Sequence, residues 1–220
     1  MPSFREHVDT LERWRRFPGL ERVDPPSDAA ALTFDDGPDP DATPAVLAAL
    51  EAEGVRATFF LVGEQLVLHH ELGREIAERG HEPALHGFAH RSHDAFTPGG
   101  ARDDLLRGLD AVESATGARP RWFRAPYGRF SETSFDACRE LGLEPVYWSA
   151  WGSDWEAIPE TRIAELVSRD LTGGAIAVLH DSPRYSYRPS AAPTAAALPP
   201  IAAYAREAGL RLVPLGELAG

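Results

Sequence analysis

The sequence contains no lysine and a single cysteine, Cys138. Without lysine the chain cannot form a Schiff base with a carbonyl substrate, so that class of covalent catalysis is excluded. One cysteine allows no disulfide within the chain, and its place in a predicted helix favours a buried thiol. The apolar runs are all too short for a transmembrane helix. The motif Gly-x-Ser-x-Gly is also missing, which argues against a serine nucleophile.

Basic residues are few, 22 against 34 acidic ones, for a net charge of −12. Nucleic-acid binding depends on Lys and Arg at the phosphates, so this balance argues against a nucleic-acid partner. A chain of 220 residues, 43% of them hydrophobic, has the length of one domain with a substantial core. The first ten residues include Arg5, Glu6, His7 and Asp9, and no apolar run follows them. The sequence therefore predicts a cytoplasmic protein, unless a leader has been removed.

The arrangement of apolar residues predicts an α/β fold in a single domain. Residues 4–16 have the spacing of an amphipathic helix, and Pro25 and Pro26 suit a linker, so we assign 1–29 to an N-terminal helix and linker and 30–220 to the domain. Seven or eight strand–helix units follow, which favours a closed or nearly closed barrel of parallel strands with helices outside. The predicted strands are 30–34, 56–62, 81–85, 121–124, 144–150, 175–179 and 210–215. The predicted helices are 43–53, 64–79, 98–116, 132–141, 160–171 and 199–208.

Two adjacent carboxylates, Asp35 and Asp36, come directly after the first predicted strand. Two adjacent carboxylates repel each other, so the pair needs a cation nearby or a division of roles between the two acids. Gly37 and Pro38 follow, and an Asp-rich turn is an equally weighted interpretation of this stretch alone.

Later strands end in further reactive side chains. His86 and His90 have the spacing that lets two imidazoles converge on one metal ion. Arg124, Asp154 and His180 each fall at or just past an apolar run. Because the carboxyl ends of parallel strands meet at one rim, we expect these residues to gather there.

These residues lie in five motifs that occur in the order Thr33-Phe34-Asp35-Asp36-Gly37, His86-x-x-x-His90, Arg124-x-Pro126-Tyr127-Gly128, Asp154-Trp155 and Val178-x-His180. The set resembles the polysaccharide deacetylases with a NodB-homology domain, carbohydrate esterase family 4, from about Ala30 to the C-terminus. The resemblance implies a distorted (β/α) barrel of seven or eight units. It also implies a metal-dependent hydrolase that removes an acetyl group from an N-acetylated amino sugar, oligosaccharide or polysaccharide.

The resemblance further implies a metal site formed by Asp36, His86 and His90. The expected ion is a single divalent metal, zinc or else cobalt, nickel or iron. Asp35 is then the base that takes a proton from water, and Arg124 pairs with it and holds its orientation.

Three other residues take roles from the resemblance. The backbone N–H of Tyr127 is expected in an oxyanion hole, and His180 is expected to protonate the leaving group. Asp154 is the expected partner of His180, with Asp181 as the alternative.

The remaining site residues are expected to bind substrate. Trp155 and Val178 correspond to the family's acyl-methyl pocket. The loop 181–193 starts at the rim, and we expect it to form a wall of the substrate groove, with a stiff spacer as the alternative. Its side chains suited to sugar binding are Arg184, Tyr185, Tyr187 and Arg188.

The chain departs from the family pattern at two positions. Gly87 stands where family members usually carry Ser or Thr, whose hydroxyl holds the metal-binding loop, and Trp151 stands where another Asp is frequent. His93 is either a competing ligand or, as we favour, a loop histidine.

Other functions stay open at this point. The same scaffold could serve an O-acetyl esterase or a sugar deformylase. A catalytically inactive carbohydrate-binding relative is less favoured, because binding alone does not need a metal, a base and an acid together. A phosphoester hydrolase is a further, weaker alternative.

Overall fold

The structure is a computed structural model that describes residues 17–24 and 27–220. The predicted helix 4–16 and the linker at Pro25 and Pro26 lie outside the described residues. Those two predictions, the domain boundary at residue 29 and the cytoplasmic location stay predictions. Among the described residues, no helix combines the length and the apolar character needed to cross a membrane.

Within residues 17–24 and 27–220, eight parallel strands form one curled sheet with the barrel-like arrangement that the sequence predicts. In chain order they are β1 (Ala29–Asp35), β2 (Thr58–Leu61), β3 (Glu82–Leu85), β4 (Trp122–Phe123), β5 (Glu144–Pro145), β6 (Ala150–Trp151), β7 (Ile176–His180) and β8 (Arg211–Val213). Across the sheet the order is β5-β4-β3-β2-β1-β7-β6, and β8 pairs with the first half of β1.

In the described part of the chain, eight α-helices connect or follow these strands. They are α1 (Thr43–Glu53), α2 (Gly63–Leu68), α3 (His70–Glu78), α4 (Pro98–Thr116), α5 (Glu132–Leu141), α6 (Glu160–Asp170), α7 (Ala192–Glu207) and α8 (Leu215–Ala219). The bounds of α1, α4 and α5 are the predicted ones. Cys138 is buried in α5, as expected, and burial raises the pKa of its thiol to about 12.

Two predicted elements are divided in the structure. The predicted helix 64–79 is α2 and α3, because His69 leaves the helical region with φ −130° and ψ 48°. The predicted strand 144–150 is β5 and β6, which lie at opposite ends of the sheet. Residues 146–149 run from one end to the other, so they cannot continue either strand. A hydrophobic pattern in the sequence does not indicate that the chain moves from pairing with β4 to pairing with β7.

The C-terminal part also differs from the prediction. Helix α7 begins at Ala192, not at Pro199, and it contains both Pro199 and Pro200. Proline is best tolerated in a first turn, which is why the sequence suggested the later start. The buried face of α7, packed against α1 and α6, holds the helix through both prolines. The last strand ends at Val213, and the short helix α8 follows it.

The alternation of side chains along β1 positions the site. Leu32 and Phe34 belong to the large core between the sheet and the helices, whereas Ala31 belongs to the smaller interior cluster. Successive strand residues point to opposite faces, so Thr33 and Asp35 share the interior face with Ala31. The strand therefore delivers the Asp35 carboxylate into the mouth of the barrel.

Candidate active site

A pocket of about 500 Å³ lies at the carboxyl ends of the strands. The predicted site residues that line it are Asp35, Asp36, His86, His90, Tyr127, Trp155, Val178, His180, Tyr185 and Tyr187. Arg124 and Asp154 are fully buried and contact the pocket residues by hydrogen bonds. The structure thus brings together the residues that the five motifs supply.

Arg124 and Asp35 form a buried ion pair. Arg124 Nη1 donates to Asp35 Oδ1 at 2.7 Å and to Thr33 Oγ1 at 2.8 Å, and its Nη2 donates to the Tyr147 carbonyl at 2.8 Å. The guanidinium also lies over the Phe60 ring. Burial lowers the pKa of Arg124, although the Asp35 carboxylate opposes the change. These contacts fix the orientation of Asp35.

Asp36, His86 and His90 form a cluster of three donor atoms that lie within 4.8 Å of one another. Asp36 Oδ1 is 3.5 Å from His86 Nε2 and 3.0 Å from His90 Nε2. His86 Nδ1 is 2.8 Å from the Arg124 carbonyl, which can only accept, so Nδ1 carries a proton and Nε2 is the ring nitrogen that faces Asp36. Two imidazole nitrogens and one carboxylate oxygen fit a catalytic divalent metal site.

The two adjacent carboxylates differ in geometry. Asp36 has a left-handed backbone with φ 80°, which turns its side chain away from the strand direction of Asp35. Burial alone would raise the pKa of Asp36, but hydrogen bonds to His86 and His90 and the nearby His180 hold it well below its ordinary value. Asp36 is therefore an anion suited to binding a cation.

His180 pairs with Asp154, as predicted. Asp154 Oδ1 is 2.8 Å from His180 Nδ1, and Asp154 Oδ2 accepts the His180 backbone N–H at 2.9 Å. Burial alone would lower the pKa of His180, but the Asp154 carboxylate raises it to about 9. The imidazole is thus protonated at neutral pH.

Asp181, the alternative partner, points elsewhere. Its Oδ2 accepts a hydrogen bond from Thr43 Oγ1 at 2.5 Å, on the side of Gly37. Burial and the neighbouring carboxylates of Asp36 and Asp39 raise the pKa of Asp181 to about 7. The carboxylate that contacts His180 belongs to Asp154.

The loop after β7 divides into two parts with different surroundings. The Tyr185 ring stacks on the His90 ring with centroids 4.0 Å apart, and Gln65 Nε2 donates to its hydroxyl at 3.0 Å. Tyr187 is 92% exposed at the pocket edge. Arg188, which the sequence suggested for sugar recognition, is instead buried at 5% exposure.

Arg188 belongs to the network behind His180. Its Nη1 reaches Asp154 Oδ2 at 3.4 Å and the hydroxyl of Thr194, and its Nη2 donates to the His180 carbonyl at 2.8 Å. Thr194 Oγ1 donates to Asp154 Oδ2 at 2.7 Å. A guanidinium so enclosed cannot contact a substrate in the pocket, so the expectation for Arg188 was wrong.

The remaining predicted residues surround the pocket at different places. Tyr127 sits in a 3-10 turn with left-handed φ 60°, and its ring lies edge-on to His90 at 4.7 Å. The Trp155 ring is edge-on to His180 at 5.7 Å, and Val178 is almost fully buried on the neighbouring strand. His93 is buried 3.6 Å from Asp104 and is not part of the donor cluster found among the described residues.

The family profile described as polysaccharide deacetylase matches residues 22–146, more than half of the chain. A chitooligosaccharide deacetylase of Bradyrhizobium sp. (strain ANU 289) is 38% identical over 151 residues, which cover 68% of this chain and 69% of that protein. The chain belongs to the polysaccharide deacetylase family.

Two further relatives differ in the share of their own length that this chain covers. The peptidoglycan-N-acetylglucosamine deacetylase PgdA of Listeria monocytogenes (serotype 1/2a, strain 10403S) is 30% identical over 190 residues, which cover 86% of this chain and 38% of PgdA. This chain therefore spans well under half of that protein. The solved family 4 carbohydrate esterase from Streptomyces lividans, in complex with acetate, is 31% identical with a TM-score of 0.77, covering 84% of this chain and 91% of that one.

Polysaccharide deacetylases are metal-dependent, and Asp36, His86 and His90 are the described residues grouped to hold an ion. Of the two departures from the family pattern, Trp151 lies in β6, partly buried against the core. Gly87 has a left-handed φ of 84° in the turn after His86.

Some residues that build the site were missed from the sequence. Thr33 accepts from Arg124, and its position two residues before Asp35 on one strand was a usable signal. Arg188 and Thr194 hold Asp154 from the loop and from α7, and no local pattern links them to it. Gln65 contacts Tyr185 across 120 positions of sequence, which is equally invisible to local reasoning.

We expect His180 to titrate near pH 9, measured by NMR of its imidazole ring. Asp154→Asn should lower that pKa, because the imidazolium loses its neighbouring anion. Asp181→Asn is the matched control and should leave the His180 titration in place, since its carboxyl group faces Thr43. An unchanged His180 titration in Asp154→Asn would contradict the assigned pair.

Proposed function

We propose that this chain hydrolyses the acetamido group of an N-acetylated amino sugar in an oligosaccharide or polysaccharide. The observation that carries the proposal is the division of the two adjacent carboxylates: Asp35 is held by Arg124, and Asp36 faces two imidazoles. The relatives named as deacetylases of chitooligosaccharide and of peptidoglycan N-acetylglucosamine support the same class of substrate.

We propose Zn²⁺ as the ion, held by Asp36, His86 and His90, since nitrogen and carboxylate donors suit zinc and its neighbours cobalt, nickel and iron. When bound, such a cation supplies a Lewis acid for the acyl carbonyl and for the attacking water. Asp36, His86 and His90 would hold the ion through one donor atom each.

We assign the role of general base to Asp35. Its Oδ1 is occupied by Arg124, whereas its Oδ2 lies 4.0 Å from His86 Nε2, on the side of the donor cluster. An oxygen at that place can take a proton from a water attacking the acyl carbon. The fixed guanidinium holds the carboxylate in this orientation throughout.

We assign the role of general acid to His180. Asp154 occupies Nδ1, so the proton on Nε2 is the one available to the pocket. Transfer of this proton to the departing amine nitrogen completes cleavage of the C–N bond. The raised pKa keeps the imidazole charged until that step.

The substrate is positioned by the groups around these catalytic residues. We propose that the Tyr127 backbone N–H stabilises the oxyanion and that Trp155 and Val178 enclose the acyl methyl group. The aromatic side chains along the pocket, Tyr127, Trp148, Trp155, Tyr185 and Tyr187, offer flat apolar surfaces for sugar rings.

Acetate release tests the function directly. The zinc-loaded protein should release acetate from N-acetylglucosamine oligomers faster than from sugar nucleotides or acetylated xylan. Faster release from acetylated xylan would identify an O-acetyl esterase on the same scaffold. A folded, metal-loaded protein that releases acetate from none of the N-acetylated substrates would refute the proposal.

Measurements of metal content and turnover should distinguish the metal-binding residues from the base Asp35. His86→Ala should lose both metal and activity, because it removes a ligand. Asp35→Asn should keep the metal and lose turnover by at least about 100-fold, because it removes a base. Metal content is measured by elemental analysis and turnover by acetate release. Metal loss in Asp35→Asn would mean that the two roles are reversed.

The loop after β7 should contribute to substrate binding. Tyr187→Ala should raise KM, because it removes an exposed ring at the pocket edge, and should leave kcat and metal content unchanged. Tyr204→Ala is a control on an exposed tyrosine of α7 outside the pocket. An unaltered KM in Tyr187→Ala would contradict a role of Tyr187 in substrate binding and would favour the alternative that this part of the loop is a spacer.

A further inference from the structure

The loop between the two histidine ligands, residues 86–90, is anchored from two sides. Its carbonyls at Gly87 and Phe88 accept the backbone N–H groups of Gly63 and Glu64 at the start of α2, at 2.9 and 2.8 Å. Its N–H groups at Phe88 and Ala89 donate instead to a side chain. Their distances to Asp104 Oδ2 and Oδ1 are 2.9 and 3.0 Å.

Asp104 reaches this loop from the second turn of α4. It is only 5% exposed, and both of its carboxylate oxygens are used by consecutive loop amides. Helix α4 comes close enough because Gly108 has no side chain: a β-carbon there would lie 3.1 Å from the Phe88 nitrogen. A buried carboxylate needs such donors, so the contact constrains the loop and Asp104 together.

Gly87 makes room for this arrangement. A β-carbon at Gly87 would lie 2.9 Å from Asp104 Oδ2, and the residue has a left-handed φ of 84°. A side chain at Gly87 would displace the carboxylate from the amides. A side chain at position 87 and the Asp104 carboxylate would therefore compete for the same space.

We propose that Asp104 is a positioning residue that fixes the metal-binding loop and so sets the affinity of the metal site. The inference rests on the proposed function, since it assumes that His86 and His90 bind the ion. Side chains that orient metal ligands indirectly change metal affinity by roughly 10–100-fold when removed.

The experiment compares metal binding by Asp104→Asn and Asp103→Asn. Both variants remove one negative charge from α4, but Asp103 is exposed and Asp104 is buried. Protein stripped of metal is titrated with Co²⁺, followed by its visible absorption spectrum and by competition with a chelator. We expect Asp104→Asn to weaken binding about tenfold and to alter the spectrum, because its amide group cannot accept both N–H bonds. Asp103→Asn should match the unaltered chain.

The outcomes separate the two proposals. Equal Co²⁺ affinity and spectrum in folded Asp104→Asn would overturn the role of Asp104 alone. No Co²⁺ binding by the unaltered chain would overturn the proposed function and this inference with it. If Asp104→Asn does not unfold cooperatively, Asp104→Ser replaces it, since its uncharged side chain is too short to accept both N–H bonds. About tenfold weaker Co²⁺ binding by Asp104→Ser would support the role, and unchanged binding would overturn it.

Discussion

The buried ion pair of Arg124 and Asp35 is the interaction on which the site depends. A carboxylate this far from water is stable as an anion only with a counter-charge and hydrogen-bond donors, and Arg124 supplies both. The same guanidinium binds Thr33 on β1 and the Tyr147 carbonyl between β5 and β6. Loss of one partner of such a pair costs about 3–5 kcal/mol, so the chemistry and the stability of the barrel mouth are coupled.

The backbone directs the side chains of the adjacent residues Asp35 and Asp36 to different partners. Asp35 follows the inward face of β1, and Asp36 leaves the strand through a left-handed residue toward His86 and His90. Adjacent residues thereby gain different partners and different chemistry. His86 joins the two halves, because its Nδ1 donates to the backbone carbonyl of Arg124 while its Nε2 faces Asp36.

On the other side of the pocket, His180 depends on a second buried network. Asp154 is held by Arg188 and Thr194, which come from the loop after β7 and from α7. The loop therefore contacts both sides of the pocket: Tyr185 covers the ring of His90, and Arg188 lies beneath His180. The structure and the relatives agree on a metal-dependent deacetylase scaffold.

The sequence by itself determined the alternation of strands and helices, the order of the motifs and the ligand spacing of His86 and His90, because these depend on local periodicity and on strand ends. It did not determine which strand lies beside which, so the break between β5 and β6 and the course of α7 through its prolines were decided by tertiary packing. The burial of Arg188 and the reach of Asp104 to the loop were decided in the same way. Such contacts join residues far apart in sequence, and the hydrogen-bond geometry between them exists only in the folded chain.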